Sequence, residues 1–307
     1  MSSTNCYASA LAAASEAAST QRYPKGALYV VATPIGNLAD ISLRALHVLY
    51  LVETAACEDT RHSQALMRAY GIDKNPSQLL AVHQHNEVEA SRTVIDRLHG
   101  GQRVAYLSDA GTPGVSDPGA RLVAAVRAEG LQIIPLPGAS SITTLLSAAG
   151  VPAGGSEAQG FLFAGFIPVR SAERDEFISD LASESRCVVL LEAPHRIVSA
   201  ANALSSLGKR RITVGRELTK QFEEIAAMSA VEFPVWLQAN PSRTRGEFVL
   251  AIHPGENRLA PTKDLRVLKL LLAELPLKTA VRLAAEITGE SKNDLYGAAL
   301  GLRDSAP

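Results

Sequence analysis

The order of apolar and polar segments along the chain predicts an α/β fold. Short apolar runs of the kind found in buried strands alternate with amphipathic helical stretches. The strand-like runs of the first half lie at 27–32, 51–57, 79–82, 104–107 and 131–136. Because this alternation of strands and helices continues to residue 147, we expect a doubly wound parallel sheet.

A second α/β domain is predicted after a stretch at 150–160 that is rich in Gly, Ala, Pro and Ser and is typical of a domain linker. Its strand-like runs lie at 161–166, 187–191, 211–215 and 248–252, with helices over 171–182 and 195–206. The order of these strands does not follow from the sequence. The last part of the chain contains three short helical segments with tight turns and resembles a helix-turn-helix module, with a helical cap as the alternative.

The predicted organisation has four parts. Residues 1–25, rich in Ala and Ser, form an extension that we expect to be disordered. Residues 26–148 form an N-terminal α/β domain, 149–256 a C-terminal α/β domain, and 257–307 a helical module. The extension lacks the basic start and apolar core of a signal peptide, and no apolar run is long enough to span a bilayer.

Composition narrows the class of function. Hydrophobic residues make up 47% of the 307 residues and charged residues 20%, which suits a globular protein with a large core. The net charge of −1 excludes a general basic field, so any RNA contact must use a local patch. The three cysteines show neither a disulfide framework nor metal-ligand spacing, which fits a reducing cytoplasm, and no metal site is expected.

Three loops at strand ends are candidates for a ligand site. The loops, at 33–38, 108–114 and 137–141, are rich in Gly, Pro or hydroxyl residues. In an open parallel sheet, ligands bind beyond the carboxyl ends of the strands. None of the loops carries the GxGxxG fingerprint, so a dinucleotide site is not supported, and ordinary strand–helix connections remain the alternative. After the second loop, Asp117 and Pro118 predict the start of a helix.

Seven short phrases of the sequence carry a resemblance to known proteins. They are ATPIGNL at 32–38, CEDTR at 57–61, LSDAGTP at 107–113, LPGAS at 136–140, EAPHR at 192–196, RELTK at 216–220 and GEFVL at 246–250. Together they resemble the tetrapyrrole methylase class of S-adenosylmethionine enzymes and, within it, the ribosomal RNA small subunit methyltransferase I family. The resemblance extends from about residue 26 to the end of the chain.

The resemblance implies two α/β domains of the tetrapyrrole methylase type, a homodimer, and S-adenosylmethionine as cofactor. It implies 2′-O-methylation of a cytidine ribose in the decoding region of 16S rRNA, with the rRNA or the assembled small ribosomal subunit as partner. Because this donor carries no phosphate, it does not need a phosphate-cradling loop. The alternative is a methyltransferase of a tetrapyrrole precursor, which would not need the helical module.

The resemblance also assigns residues to the donor site. Six of them fall on donor-contacting loops, namely Pro34, Ser108, Asp109, Thr112, Ser140 and Ser141. An acidic side chain at a strand end can pair with the ammonium group of the donor. Small residues in the loops allow the donor to lie against the main chain. For Ser140 and Ser141, capping of the following helix is the alternative interpretation.

The acceptor side of the reaction needs a base or a cation, because a ribose hydroxyl is a weak nucleophile. The candidate catalytic residues are Glu58, Asp59, Glu217 and Lys220, with His83 as a further candidate base. The candidate phosphate contacts are Arg61, Arg216 and Lys220. The sequence does not single out one of these residues as the base.

Overall fold

The computed structural model describes residues 7–115, 119–151, 160–255, 265–289 and 291–304. The chain forms two compact units, Met1–Pro254 and Gly255–Pro307. The described residues of the larger unit form two five-stranded sheets. Asp117 and Pro118, the predicted helix start, lie outside the described residues.

The first sheet is parallel throughout. Its strands are β1 (Ala27–Val31), β2 (Thr54–Cys57), β3 (Leu79–Ala81), β4 (Val104–Leu107) and β5 (Gln132–Leu136). They are arranged in the order β3-β2-β4-β1-β5, and every neighbouring pair is parallel. This confirms the doubly wound sheet. All residues of β2 and β4 are buried, as expected of strands with helices on both faces.

Six helices of the described residues belong to this half of the larger unit. They are α1 (Ala8–Ala18), α2 (Leu43–Leu51), α3 (Thr60–Ala69), α4 (Glu87–His99), α5 (Gly119–Ala128) and α6 (Ser141–Ala149). One face of the sheet packs with α2 through Leu46 and Leu49, and the opposite face packs with α4 and α5 through Val94 and Leu122. Helix α3, which follows the charged end of β2, is absent from the sequence prediction.

The N-terminal extension requires a correction. Residues predicted to be disordered form helix α1, which packs on α2. Ala14 is fully buried in the core of the first sheet, and the ring of Tyr7 lies 5.9 Å from that of Tyr70. The Ala-rich composition that suggested disorder lets the helix approach its neighbour closely, because alanine has high helix propensity and little bulk.

The second sheet is mixed. Its strands are β6 (Phe161–Phe166), β7 (Cys187–Glu192), β8 (Arg211–Arg216), β9 (Glu224–Ser229) and β10 (Phe248–Ile252), in the order β6-β7-β10-β8-β9. Only β6 and β7 pair in parallel, and the other pairs are antiparallel. Helices α7 (Ser171–Ser183), α8 (Ile197–Leu204) and α9 (Phe233–Gln238) complete this half. The sequence prediction lacks the edge strand β9 and helix α9.

The two sheets share a buried contact within the larger unit. Ile142 and Leu145 of α6 pack against Val189, Val249 and neighbouring residues on one face of the second sheet. The opposite face of that sheet packs against α7, α8 and α9. The second sheet therefore has one face turned toward the first half of the unit.

The smaller unit contains α10 (Arg266–Glu274), α11 (Leu277–Thr288) and α12 (Lys292–Asp304). Its small core includes Leu268, Ala284 and Leu295, one residue from each helix. The three helical segments predicted for the last part of the chain are thus present. In the part of the chain that the structure describes, no helix is long and apolar enough to cross a bilayer.

Candidate active site

The three candidate loops meet at the carboxyl edge of the first sheet. Thr33 and Gly111 exchange backbone hydrogen bonds of 2.9 and 3.1 Å. The hydroxyl of Thr112 donates to the carbonyl oxygen of Ala139 at 3.0 Å. A Cβ on Gly138 would lie 2.7 Å from the Cβ of Ala32, so the backbone there requires glycine. The loops that follow β1, β4 and β5 are therefore held together as one structure.

These loops line an open cleft of about 610 Å³, which we call the main cleft. Its lining comprises Ile35, Glu58, Ser108, Asp109, Ala110, Gly111, Thr112, Val115, Ser140, Ser141, Ile142 and Leu191. Leu191 comes from the second sheet, so both halves of the larger unit contribute.

Five of the six predicted donor contacts line the main cleft, and Pro34 does not. Pro34 is buried, and its neighbour Ile35 takes the lining position. Ser140 occupies the N-cap position of α6, but its side chain makes no capping hydrogen bond. The capping alternative is therefore wrong for the Ser140 hydroxyl, which lies at the cleft without that structural task.

Two of the predicted hydroxyls stabilise the loops themselves. Ser108 is 3% exposed, and its Oγ donates to the carbonyl oxygen of Gly111 at 2.9 Å. The Thr112 hydroxyl donates to Ala139, as described above. Because each hydroxyl has only one proton to donate, both side chains can offer a ligand only acceptor lone pairs. The main role that the geometry gives them is to shape the cleft.

Asp109 links the main cleft to the end of β2. Its Oδ1 accepts a hydrogen bond from the backbone N–H of Asp59 at 3.3 Å. Asp59 is itself the N-cap of α3, with its carboxylate accepting from the N–H groups of Arg61 and His62. Hydrogen bonds from Arg61 lower the pKa of Asp59. Asp59 is therefore a capping residue held in its ionised form, whereas its neighbour Glu58 lines the cleft.

The turn after β8 holds Glu217 and Lys220 in an ion pair. Lys220 Nζ lies 2.9 Å from Glu217 Oε1 and 3.1 Å from Glu247 Oε2. Burial raises the pKa of Glu217, but hydrogen bonds from Lys220 and the Glu247 backbone outweigh it and lower the pKa overall. For Lys220, burial lowers the pKa, and the hydrogen bonds with both carboxylates raise it overall. Lys220 is thus a cation and not a base.

This turn is strained and packs against the first loop. Glu217 and Thr219 are non-glycine residues with positive φ, at 51° and 65°. Such backbone costs energy and persists only where the surroundings enforce it. A Cβ on Gly36 would lie 2.4 Å from Cγ of Lys220, so the turn lies directly on the 33–38 loop. The predicted pair of Glu217 and Lys220 borders the loops of the cleft without lining the cleft itself.

The predicted phosphate contacts have different environments. Arg216 is 8% exposed and donates to the carbonyl oxygens of Arg245 and Phe222, so it is a buried structural residue rather than an RNA contact. Arg61 has a side chain that is 92% exposed, with one ion pair to Asp59 at 3.4 Å. Arg61 is therefore accessible to a phosphate, whereas the assignment of Arg216 requires correction.

His83 stays outside the lining of the main cleft. It follows β3, and its ring lies 6.0 Å from that of His85. Within the described ranges, no group of three or more His, Cys, Asp or Glu side chains could hold a metal ion.

Comparison with family models defines the class of protein. The model described as Tetrapyrrole (Corrin/Porphyrin) Methylases matches residues 27–233. A second model, described as the RsmI C-terminal HTH domain, matches residues 259–303. The larger unit thus carries the tetrapyrrole methylase fold, and the helix-turn-helix prediction for the smaller unit is confirmed.

Similar proteins narrow the class to one family. A protein of Pseudomonas aeruginosa called ribosomal RNA small subunit methyltransferase I is 45% identical over 282 residues, covering 90% of this chain and 97% of its own length. A protein of the same name from Escherichia coli O157:H7 is 42% identical over 280 residues, covering 90% and 95%. The chain belongs to the ribosomal RNA small subunit methyltransferase I family.

Solved structures agree on the fold. The cobalamin biosynthetic enzyme cobalt precorrin-4 methyltransferase matches with a TM-score of 0.55 and 19% identity, over 75% of this chain and 98% of that one. Diphthine synthase matches with a TM-score of 0.55 and 15% identity, over 74% and 90%. These neighbours share the architecture of the two sheets.

Proposed function

We propose that the protein transfers the methyl group of S-adenosylmethionine to a ribose 2′-hydroxyl of a cytidine in the decoding region of 16S rRNA. The observation that carries this proposal is the main cleft, in which loops from three strands of a tetrapyrrole methylase fold converge. The names of the relatives support an rRNA substrate. The helix-turn-helix match favours this substrate over a tetrapyrrole precursor.

The residues of the main cleft suit S-adenosylmethionine. Asp109 offers a carboxylate to an ammonium group, and Ser140 offers a hydroxyl without a capping task. Main-chain groups of Gly111 and Ala110 can approach an adenine closely, since neither side chain extends beyond Cβ. The donor, when bound, supplies a methyl group activated by its sulfonium. The role of the cleft is to bind and orient it, which accounts for a large share of such catalysis.

Glu58 is the candidate for contact with the acceptor hydroxyl. It alone of the four predicted catalytic residues lines the main cleft. We assign it the role of accepting the proton of the 2′-hydroxyl or orienting that group. Asp59 caps α3, and Glu217 and Lys220 hold the strained turn against the 33–38 loop, so these three act as positioning residues. Arg61 remains the proposed phosphate contact.

The experiment uses small ribosomal subunits from a strain that lacks the corresponding methyltransferase. The purified protein is incubated with them and methyl-labelled S-adenosylmethionine, and the labelled nucleotide is mapped by mass spectrometry. We expect one 2′-O-methylcytidine in 16S rRNA. Naked 16S rRNA and a tetrapyrrole precursor are tested in parallel. Transfer to the tetrapyrrole without transfer to either RNA substrate would contradict the proposal.

A pair of adjacent variants tests the role of Glu58. Glu58→Gln should lower kcat about 10²- to 10⁴-fold, the range of general base catalysis, with unchanged affinity for S-adenosylmethionine. Asp59→Asn is the matched control, because asparagine is as good an N-cap as aspartate. It should keep its activity. Equal losses in the two variants, or none in Glu58→Gln, would exclude Glu58 as the acceptor contact.

The homodimer and the cytoplasmic location are also proposals. Light scattering coupled to size-exclusion chromatography should give twice the 32.5 kDa mass of one chain. Fractionation of cells that express the tagged protein should recover it with the cytoplasmic ribosomal subunits. A monomeric mass at working concentration would contradict the first proposal.

A further inference from the structure

Strand β6 contains an irregularity next to the main cleft. Its pairing with β7 proceeds in register from Phe161 to Phe163, then skips Ala164 and resumes at Gly165. Gly165 has a φ of 72°, a conformation that glycine adopts without strain. One extra residue in one strand is a β-bulge, and bulges next to active sites re-aim side chains.

The bulge reverses the face on which Phe166 lies. Directly paired residues of neighbouring strands share a face of the sheet. Phe166 pairs with Leu191, which lines the main cleft. Without the extra residue, Phe166 would pair with Glu192 and lie on the opposite face. That face is covered by α7 and α8, and Ile167 and Leu190 are buried in its core.

Phe166 gains little burial from this position. Its side chain is 47% exposed, although it lies on the face of the sheet that is turned toward the first half of the unit. Phe166 pairs with Leu191, and Leu191 pairs with Val249 on the next strand. Of these two neighbours, Leu191 is half-buried and Val249 is buried. The bulge in β6 therefore places a large, exposed aromatic ring beside the main cleft.

We propose that Phe166 is a stacking platform for a base of the RNA substrate. The inference rests on the proposed function and adds a residue that positions the substrate. Sequence-specific contacts with RNA use unpaired bases that stack on aromatic side chains. Phe166 adjoins Leu191 at the wall of the cleft, so a base on its ring would lie beside the bound donor. An exposed phenylalanine at that place has the chemistry to hold a splayed base.

Strand β6 offers a matched control. Phe161 lies on the same face of the same strand and is 46% exposed. It stands at the other end of the strand, about 16 Å away at the rise of an extended chain. Phe161→Ala and Phe166→Ala therefore remove rings of equal exposure from one sheet face, and only the second ring adjoins the main cleft.

The experiment measures binding of small ribosomal subunits, together with kcat, KM and S-adenosylmethionine affinity. Phe166→Ala should weaken subunit binding about 5- to 150-fold, the range found when alanine replaces a stacking aromatic residue. Affinity for S-adenosylmethionine should stay unchanged. Phe166→Trp should restore binding, whereas Phe166→Leu, which is apolar but lacks a π face, should not. Phe161→Ala should behave as the wild type.

Several results would overturn the inference. These are equal affinity of Phe166→Ala and Phe161→Ala for subunits, or full restoration by Phe166→Leu. A shift of Phe166→Ala toward monomer in light scattering would instead assign the ring to contact with a second copy of the chain. Failure of the wild type to methylate any RNA would refute the proposed function itself. If the wild type methylates the RNA and Phe166→Ala binds and methylates it equally well, only the stacking role would be refuted.

Discussion

The charge of Asp109 should dominate recognition of the methyl donor, and Asp109→Asn isolates that charge. The carboxylate has a structural task, because its Oδ1 accepts the Asp59 N–H at 3.3 Å. Asparagine keeps one oxygen as an acceptor for that N–H, has nearly the same shape, and carries an uncharged NH₂ group in place of the second carboxylate oxygen. Asp109→Ala removes both the charge and the oxygen and leaves the Asp59 N–H, at the start of α3, without its acceptor. Comparison of the two variants therefore separates ligand binding from loop structure.

The expected magnitude follows from the strength of one charged hydrogen bond. Such a bond contributes about 1.5–3 kcal/mol, so Asp109→Asn should weaken S-adenosylmethionine binding about 10- to 150-fold. Its unfolding free energy should match that of the wild type. Asp109→Ala should lose as much affinity and about 1 kcal/mol of stability in addition, from the unpaired N–H.

Calorimetric titration with S-adenosylmethionine measures the affinity, and urea unfolding measures the stability. The affinity loss of Asp109→Asn should shrink at high salt, because a half-exposed charge pair is screened. An Asp109→Asn protein that binds the donor as tightly as the wild type would refute the assignment. Asp109 would then be a residue that only fastens the loop after β4 to the end of β2.

Three further predictions concern the turn after β8 and the smaller unit. Gly36→Ala should destabilise the protein by about 1–3 kcal/mol in urea unfolding and slow methyl transfer, because its Cβ would overlap Lys220; Gly255→Ala, with open space around it, is the control. Because the pKa of Glu217 is lowered in the folded protein, its ionised carboxylate stabilises the fold at pH values above the ordinary pKa of 4.5. The free energy of unfolding in urea should therefore lose this contribution as the pH falls from 4.5 through the lowered pKa, and Glu217→Gln should lack this part of the pH dependence. A protein that ends at Pro254, the boundary of the compact larger unit, should keep its affinity for S-adenosylmethionine in calorimetry and lose rRNA methylation.

Local patterns in the sequence were sufficient to predict the loops of the cleft and every strand except β9. Buried parallel strands are continuous apolar runs, and the turns after them need Gly, Pro and hydroxyl residues, so both signals are local. Helix α3 has a sequence of low hydrophobicity, TRHSQALMRA, and only Ser63 and Met67 are buried in it. Strand β9 lies at a sheet edge and has no fully buried residue. Elements with so few buried residues contain little apolar sequence, and that content was the signal used to predict strands and helices.

The sequence contains a pattern that could have shown Arg216 to be a buried residue. Ile212, Val214 and Arg216 alternate along β8 and share the face packed by α8 and α9. A period of two places Arg216 on that buried face if the strand continues to it. The sequence prediction ended the strand at Gly215, which turned a buried strand residue into a loop cation. One residue at a strand boundary thus decided between a structural and a functional role.

Residue type alone could not divide the polar residues at strand ends into capping, loop-closing and ligand-binding groups. Asp59 and Asp109 are both aspartates after buried strands, yet one caps α3 and the other lines the cleft. Their roles depend on which N–H groups lie within reach, and that is decided by strands distant in sequence. The same argument applies to Phe166, whose face depends on pairing with β7. A bulge depends on how two strands pair with each other. Residues that reach a site because of the pairing register can therefore be identified only from the folded structure.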